Sequence, residues 1–489
     1  MIFNSLNFTL FLSIVFVFYW FVTNKSLKIQ NILLLVSSYF FYACWDWRFL
    51  FLLIFSTVLD YYTGIKMSDS KNQNSKKFWF WLSISVNLGF LGVFKYYNFF
   101  AASFADAIAN FGLQVNPWTL KVILPVGISF YTFHGLSYVI DIYKDRIKAE
   151  KNFIDYSVFV SFFPLLVAGP IERATHLLPQ IQKKRAFNFE NAVDGLKQIL
   201  WGLFKKVVIA DNCAKFSNII FDNYTDYSGS TLALGAVFFA FQIYGDFSGY
   251  SDIALGSAQV MGFKLMQNFD RPYFSKTISE FWRRWHISLS TWFRDYLYIP
   301  LGGSRVPYYR QLFNLFIVFM VSGLWHGASW NFIIWGALHG LLLVLARLRE
   351  KYLPSLQLNA TNLVTKIIHI IIVFILVDFC WIFFRARTFA DAKYIITHLL
   401  SNISLNSLKN LDFVRNNILL GESKQIFLVT IFSLILMEIV HYSQRNRSIR
   451  SYLSTQNRWL RWGLYCLLIS WILLFGAFEK PAQFIYFQF

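Results

Sequence analysis

The chain has 489 residues, of which 56% are hydrophobic, 20% aromatic and only 15% charged. Because soluble domains carry about 25% charged residues, this composition excludes a secreted soluble domain, a disordered chain and a cytosolic enzyme. The 45 basic residues outnumber the 26 acidic ones and give a net charge of +19, which in a membrane protein indicates cytoplasmic loops facing anionic lipid rather than a nucleic-acid partner.

Apolar runs predict membrane spans from the first residues onward. They lie near residues 6–23, 30–44, 47–65, 78–99 and 119–142. Basic loops follow the first, third and fifth runs, whereas Phe100 to Leu120 contains no Lys or Arg. The positive-inside rule therefore places the N-terminus outside. The first run lacks a preceding basic residue and a small-residue cleavage site, so we expect a span rather than a signal peptide.

The regular pattern breaks at residues 156–169, a run that is too short to span and contains Pro164. Basic residues flank it on both sides, which favours a re-entrant segment that enters and leaves on one face. Irregular backbone survives in a membrane where it is buried in protein or lines a watery cavity. Spans resume at 366–384, 425–442 and 462–478. The sequence thus predicts an all-α polytopic membrane protein with roughly 10–13 transmembrane helices.

Polar residues interrupt the apolar sequence at Tyr244–Asp252, which holds Asp246 and Asp252. Carboxylates at membrane depth are expensive and are usually functional or paired. One interpretation has Ser251 and Asp252 capping a following helix, with Gly245 and Gly249 in a turn. The other interpretation makes the segment a ligand contact, and the sequence alone favours neither.

A second segment, residues 281–296, carries aromatic and aliphatic side chains at helical spacing. The residues on that face are Trp282, Trp285, Leu289, Trp292 and Tyr296. Arg283, Arg284 and Arg294 lie off it, so we expect one interfacial amphipathic helix. His286 and Ser290 lie beside the aromatic face. His286 is either a hydrogen-bonded packing residue or a catalytic group.

A third segment, residues 321–331, places His326 between apolar stretches that are each short for a span. If the segment is one helix, Ser322, His326, Ser329 and Ile333 share a face. A neutral imidazole there could accept a proton from a hydroxyl. The alternative is a buried histidine bracketed by small residues for helix packing. His339 lies thirteen residues further on and would point nearly the opposite way.

Several motifs are missing from the sequence. It contains no phosphate-binding loop, no GxSxG elbow, no HExxH and no dinucleotide fingerprint. Cys44, Cys213, Cys380 and Cys466 show neither metal-ligand nor disulfide spacing, so no metal site is expected. The chain therefore carries no serine-hydrolase machinery of its own.

An ordered set of motifs resembles the membrane-bound O-acyltransferase family, and within it the membrane subunits of bacterial alginate O-acetyltransferases. The matching stretches are LPVGISFYTFHGLSYVIDIY, FFPLLVAGPIER, GLFKKVVIADN, YGDFSGYSDIALG, NFDRPYFSKTISEFWRRWHISLSTWFRDYLYIPLGGSR, SGLWHGASWNFIIWG and the terminal FIYFQF. They run from about Leu124 to the C-terminus. The related D-alanyl transfer proteins share the RWH and WHG signatures, and the IPLGG continuation at Ile299–Gly303 favours acetyl transfer.

The resemblance implies a ring of membrane helices around a thinned centre, with a tunnel joining the two faces. It implies that His326 is the catalytic base and His286 the second active-site histidine. It also implies one membrane domain over 1–489. We expect N-terminal spans over 1–142, a catalytic core with re-entrant and interfacial helices over 143–346, and C-terminal spans over 347–489.

The donor implied by the resemblance is acetyl-CoA, used as a substrate, and no bound cofactor is expected. The phosphates of acetyl-CoA need cations at the inner mouth of the tunnel. The alternative role of these basic residues is to anchor the protein at the membrane surface. The candidate cations are Lys205, Lys206, Arg283, Arg284 and Arg294. The pantetheine arm and the acceptor are expected to contact Trp285, Trp325, Asp246, Ser248 and Tyr250.

The expected acceptor is an exported, alginate-like polysaccharide, reached from the bacterial inner membrane through a periplasmic serine-esterase-like partner. Within the enzyme class, D-alanyl or longer acyl transfer and acetylation of peptidoglycan stay open. Outside it, the buried carboxylates and the tunnel would also suit a polar-solute transporter or a non-catalytic scaffold.

Overall fold

A computed structural model describes residues 1–121, 123–166, 169–353, 362–401, 410–445, 448–478 and 482–487. Within these ranges the chain forms α-helices, short π-helical and 3-10 turns and loops, without a β-strand. The helices up to residue 203 are α1 Leu6–Val17, α2 Leu27–Asp46, α3 Arg48–Asp69, α4 Gln73–Leu91, α5 Tyr97–Ala109, α6 Ile128–Tyr143, α7 Phe153–Ser161, α8 Ala174–Ile181 and α9 Phe189–Leu203.

The remaining helices complete the all-α architecture. They are α10 Asp211–Asp222, α11 Gly229–Val260, α12 Ile278–Arg284, α13 Ile287–Phe293, α14 Tyr308–His326, α15 Trp330–Tyr352, α16 Leu363–Arg385, α17 Phe389–His398, α18 Leu411–Phe413, α19 Lys424–Ser443, α20 Ile449–Ser454 and α21 Arg458–Phe475. Five-to-seven-residue π-helical segments follow several of them, including Phe204–Ala210 after α9 and Arg294–Tyr298 after α13.

Eight helical stretches in the described part of the chain are long and apolar enough to cross a membrane. They are Leu27–Asp46, Arg48–Asp69, Gln73–Ala109, Gly229–Val260, Trp330–Tyr352, Leu363–Arg385, Lys424–Ser443 and Arg458–Phe475. The predicted all-α polytopic membrane fold is therefore confirmed. Eight is fewer than the roughly 10–13 spans expected from the sequence. Part of the difference is that the predicted span 119–142 is represented only by the 16-residue helix α6, which starts after Gly127 at φ 75°.

The chain divides into two compact units. The first consists of 1–196, 254–266 and 327–329, and the second of 197–253, 267–326 and 330–489. The first unit holds the re-entrant candidate. Helix α7 ends at Ser161, and the non-helical residues Phe162, Phe163, Leu165 and Leu166 after it are fully buried.

Irregular backbone at this point is thus enclosed by protein, as the sequence predicted. Residues 167 and 168 of that predicted segment lie outside the described residues. The three-part division at 142 and 346 stays a prediction.

Helix α11 runs without interruption for 32 residues. The predicted turn at Gly245 and Gly249, with Ser251 and Asp252 as caps, is therefore wrong. The glycines instead allow close helix contact, since a Cβ on Gly249 would lie 2.8 Å from the carbonyl oxygen of Gly202. The carboxylates of this segment consequently lie on one continuous helix.

Helices α14 and α15 form a tight hairpin in the second unit. A Cβ added to Gly323 would lie 2.2 Å from the carbonyl oxygen of Phe332, and one added to Gly336 would lie 2.3 Å from that of Phe319. Small residues at such a crossing bring two backbones together. The hairpin fixes the end of α14, which is His326.

Candidate active site

His286 lies at a sharp break between two short helices. Its backbone is left-handed, with φ 43° and ψ 54°, and α12 and α13 lie on either side. The predicted single amphipathic helix over 281–296 is therefore wrong. The break is held from outside, because Asn268 accepts hydrogen bonds from the Ile287 amide (2.9 Å) and the Ser288 hydroxyl (2.5 Å).

The aromatic and aliphatic residues of this segment lie on or beside two helices and a π-helical turn. Its apolar members are buried, namely Trp282, Trp285, Leu289, Trp292 and Tyr296. Arg283 and Arg294 are exposed, whereas Arg284 is partly buried and pairs with Glu280 at 2.6 Å. The face that we expected at the lipid interface instead packs into the protein.

His326 is the last residue of α14, and helix α15 starts only at Trp330. Ser322, one turn earlier, is the only member of the predicted shared face that lies on the same helix, because Ser329 falls in the break. The His326 ring lies 5.0 Å from the Trp325 and Trp335 rings and 5.4 Å from that of Phe384. The imidazole is therefore held by aromatic rings from α14, α15 and α16.

The two histidines face each other in one aromatic chamber. Their ring centroids are 6.3 Å apart, and the residues are 0% (His286) and 3% (His326) exposed. His286 lies outside the candidate spans, and burial lowers its pKa to about 3, so the imidazole is neutral at physiological pH. Both imidazoles are buried among packed side chains, and the expected tunnel stays a prediction.

His339 lies next to this chamber without facing it. The Trp335 ring separates it from His326, at 5.0 Å from each imidazole. The Trp282 indole N–H donates to His339 Nδ1 at 3.3 Å. These contacts support a packing role for His339.

The C-terminal segment 482–487 contributes residues to the chamber that sequence reasoning did not assign. The Tyr486 ring lies 5.6 Å from His326 and 6.3 Å from His286. Phe484 lies 4.3 Å from the Tyr250 ring and is buried. The terminal FIYFQF stretch signalled this segment only through the family resemblance, and residues 488 and 489 lie outside the described residues.

Three further predicted substrate contacts, Asp246, Ser248 and Tyr250, lie on α11 and contact protein groups. Asp246 pairs with Lys206 at 2.7 Å, and Ser248 accepts a hydrogen bond from Lys205 at 3.0 Å. Lys205 also pairs with Asp252 at 2.6 Å. Both lysines are buried in ion pairs, so the expectation that they stand at an open mouth for phosphates is wrong.

Trp285 and Trp325, the two predicted tryptophan contacts, occupy different places. The Trp325 ring is 6.0 Å from the His286 ring and forms part of the chamber wall. Trp285 packs 4.9 Å from Trp381 and 5.1 Å from Phe269. It packs among aromatic residues next to the chamber.

A cavity of about 550 Å³ lies between the α12–α13 segment and the α14–α15 hairpin. Arg283, Arg294 and Arg347, all exposed, line it together with Ser290 and Ser322. Apolar side chains such as Trp282, Phe319 and Leu343 complete the wall. This is the size range of small-molecule sites, and the combination suits an anionic, partly apolar ligand.

Comparison with known proteins assigns the chain to a family. A model of the membrane-bound O-acyltransferase family matches residues 144–351, which contain both histidines. A Helicobacter pylori protein named peptidoglycan O-acetyltransferase is 36% identical over 93% of this chain and 91% of its own length. The chain belongs to the membrane-bound O-acyltransferase family. It is a multi-pass membrane enzyme that transfers acyl groups to oxygen.

Two further relatives are named for different activities. A Pseudomonas aeruginosa protein named "Probable alginate O-acetylase" is 42% identical over 79% of this chain and 72% of its own. A Bacillus subtilis teichoic acid D-alanyltransferase is 30% identical over 54% of this chain and 69% of its own. The resemblance stated from the motifs is thus confirmed. Because the family consists of enzymes, its membership argues against the transporter alternative.

Proposed function

We propose that this O-acyltransferase moves an acetyl group from cytosolic acetyl-CoA across the bacterial inner membrane to hydroxyls of an exported polysaccharide. The observation that carries the proposal is the pair of imidazoles in one buried chamber, 6.3 Å apart, inside the region that matches the family. Support for acetyl over D-alanyl comes from the acetylase relatives, which are more similar and cover more of the chain.

In the proposed reaction, His326 is the general base. Its imidazole takes the proton of the acceptor hydroxyl, and the oxygen attacks the thioester carbonyl carbon. The carbon–sulfur bond breaks, and the leaving thiolate takes the proton back from the imidazolium. The products are one acetyl ester and the CoA thiol, so no net proton is consumed. A well-placed base contributes about 10²–10⁴-fold.

His286 is proposed to stabilise charge on the thioester oxygen. A neutral imidazole donates one N–H, and burial strengthens such a bond because no water competes with it. Its fixed position comes from the left-handed backbone that Asn268 holds in place. This role needs an imidazole that is aimed but never protonated, which agrees with its lowered pKa.

Replacing His286 by Gly separates the chemical role from the backbone role. Glycine adopts φ 43° freely, so the fold should persist while kcat falls by about 10²-fold, as for other lost oxyanion donors. His286→Val should lose folded protein as well, since a β-branched residue is strained there. Thiol-release rates and thermal melting of the detergent-solubilised enzyme test both, and an unchanged kcat in the Gly variant would remove His286 from the mechanism.

The arginine-lined cavity is proposed to hold part of the donor. CoA combines charged phosphates with an uncharged pantetheine arm, and the cavity combines exposed arginines with aromatic and aliphatic wall residues. Ser322 lines the cavity and lies one helical turn before His326. Of the predicted phosphate contacts, Arg283 and Arg294 fit this site, whereas Arg284 does not line it.

We expect the double variant Arg283→Ala, Arg294→Ala to raise the KM for acetyl-CoA by about 10-fold, since each charge-assisted contact contributes about 1.5–3 kcal/mol before solvent weakens it. The kcat should change little, because neither side chain reaches the histidines. The matched control is Arg310→Ala, an exposed arginine of α14 that does not line the cavity. An equal KM increase in the control would point to general surface charge instead.

The acceptor is proposed to be an alginate-like glycan, reached through a periplasmic serine-esterase-like partner. The Pseudomonas relative supports alginate, whereas the Helicobacter relative, which covers more of the chain, supports peptidoglycan. Both polymers lie outside the inner membrane and present hydroxyls. A partner is expected because the sequence holds no serine-hydrolase motif.

The proposal is tested in proteoliposomes that contain the purified enzyme and radiolabelled acetyl-CoA. Alginate oligosaccharides and peptidoglycan fragments are supplied on the opposite side, with and without a candidate partner. Acetyl appearing on either glycan, with matching thiol release, supports the proposal. Faster turnover with a D-alanyl thioester, or no thiol release under any condition, would reject it.

A further inference from the structure

A buried ion cluster in the second unit is unexplained by the proposed chemistry. The Lys206 ammonium lies 2.7 Å from carboxylate oxygens of both Asp211 and Asp246. The three side chains are 1%, 0% and 4% exposed, respectively. Buried charges are costly and seldom stabilise a protein better than apolar packing, although they can fix a register. We therefore looked for the part of the protein that this cluster holds in place.

The cluster binds the C-terminal segment at two backbone groups. Lys206 Nζ donates its third hydrogen bond to the carbonyl oxygen of Ala482 at 2.9 Å. The amide N–H of Ile485 donates to Asp246 Oδ2 at 2.7 Å. An ammonium has three protons, so the two carboxylates and the Ala482 carbonyl satisfy Lys206 completely. Without the segment, the cluster would lose two hydrogen bonds, one of them fully buried.

Side-chain packing alone would not fix the position of this segment. Apart from Gln483, its residues are apolar or aromatic, and such side chains fit many places in an apolar interior. Residues 485–487 form a 3-10 turn, in which successive side chains are about a third of a turn apart, so a slip of one residue would move the Tyr486 ring away from the histidines. Two backbone hydrogen bonds to fixed charges specify a single register.

We propose that Lys206, Asp211 and Asp246 form a latch that anchors segment 482–487 as a permanent wall of the catalytic chamber. They are positioning residues, which act on His326 and His286 through the ring of Tyr486. This inference rests on the proposed function of the two histidines. It reassigns Asp246 from a substrate contact to a contact that holds the protein's own C-terminal segment.

The test combines hydrogen–deuterium exchange of the full-length enzyme in detergent with steady-state kinetics. In Lys206→Met, the peptide that contains Ile485 should exchange at least about 10-fold faster, as expected when hydrogen bonds of about 1–1.5 kcal/mol are lost. The kcat should fall by a similar factor or more, with the KM for acetyl-CoA little changed. Lys206→Arg should recover part of both.

Lys205→Met is the matched control for the exchange measurement. Lys205 is adjacent, buried and paired with Asp252, and its other contacts are the Ser248 hydroxyl and the Tyr244 ring. This variant removes the same charge but should leave the exchange of the Ile485 peptide unchanged. If both variants release the segment equally, general loss of a buried charge explains the effect and the latch is wrong.

A second variant guards against failure of Lys206→Met to fold. Ile485→Pro removes the amide N–H that donates to Asp246, together with the buried Ile485 side chain, and it should release the segment and lower kcat. Normal kcat with a released segment, or unchanged protection in both variants, overturns the latch. Wild-type enzyme that is inactive with acetyl-CoA would instead reject the proposed function, whereas the exchange result would still decide the anchoring.

Discussion

His326→Ala is expected to abolish acyl transfer while the enzyme remains folded in the membrane. The imidazole is the only candidate base at the end of α14, and its loss should lower kcat by about 10²–10⁴-fold. Three aromatic rings surround the imidazole at 5.0–5.4 Å. We expect the packing of these rings to keep the protein folded when the imidazole is removed. Initial rates of thiol release from acetyl-CoA in proteoliposomes measure the effect.

His339→Gln is the matched control for that experiment. His339 is equally buried and touches the same Trp335 ring. A glutamine oxygen can still accept the Trp282 indole hydrogen bond, so the variant should keep most of its turnover and lose only some stability. If His339→Gln were inactive and His326→Ala active, the assignment of the base would be reversed.

His326→Ala also distinguishes an enzymatic role from a scaffolding role. A non-catalytic subunit of a polysaccharide complex would support acetylation equally well with Ala at position 326. Loss of acetylation together with normal amounts of protein in the membrane would leave only a chemical role. Measuring both in the same cells decides between the two explanations.

The sequence was sufficient to predict the membrane fold, and the two histidines that it singled out lie close together. Long apolar runs such as 366–384 and 425–442 became α16 and α19 with little change at their ends, because helix length in a membrane is set by apolar length. The pairing of His286 with His326 could not follow from periodicity, since the two lie on separate helices. The motif resemblance predicted it, and the structure places the rings together.

Two local errors share a physical cause. Gly245 and Gly249 suggested a turn because glycine often adopts turn conformations, yet here they admit a neighbouring helix. Helical spacing suggested a continuous helix through His286, yet the residue is left-handed and anchored by Asn268. In both places a tertiary contact distant in sequence decides the backbone, and spacing along one segment carries no record of that contact.

The C-terminal segment shows the same limitation. FIYFQF was recognised as a matching stretch, but its mostly apolar residues do not indicate which groups of the protein bind the backbone of this segment. Its register depends on Lys206 and Asp246, which lie more than two hundred residues earlier. Only the folded arrangement reveals that Tyr486 lies beside the two histidines.

Gly323→Ala is expected to reduce the amount of folded enzyme sharply. The added Cβ would lie 2.2 Å from the carbonyl oxygen of Phe332 and 3.2 Å from the Cα of Gly336. Both neighbours are backbone, so no side chain can move aside and the α14–α15 hairpin must open. Overpacking of this kind costs about 1–3 kcal/mol or more, and opening the hairpin displaces His326, three residues later.

Gly89→Ala provides the comparison, because Gly89 is also helical but has no atom within 4 Å of its added Cβ. Alanine there should be neutral or stabilising by up to about 1 kcal/mol, since it is the better helix former. Melting temperatures in one detergent, with thiol-release rates on the folded fraction, test both variants. A normal melting temperature and normal turnover for Gly323→Ala would mean that the hairpin tolerates a wider crossing, and that the close contact of α14 with α15 is not what holds His326 in place.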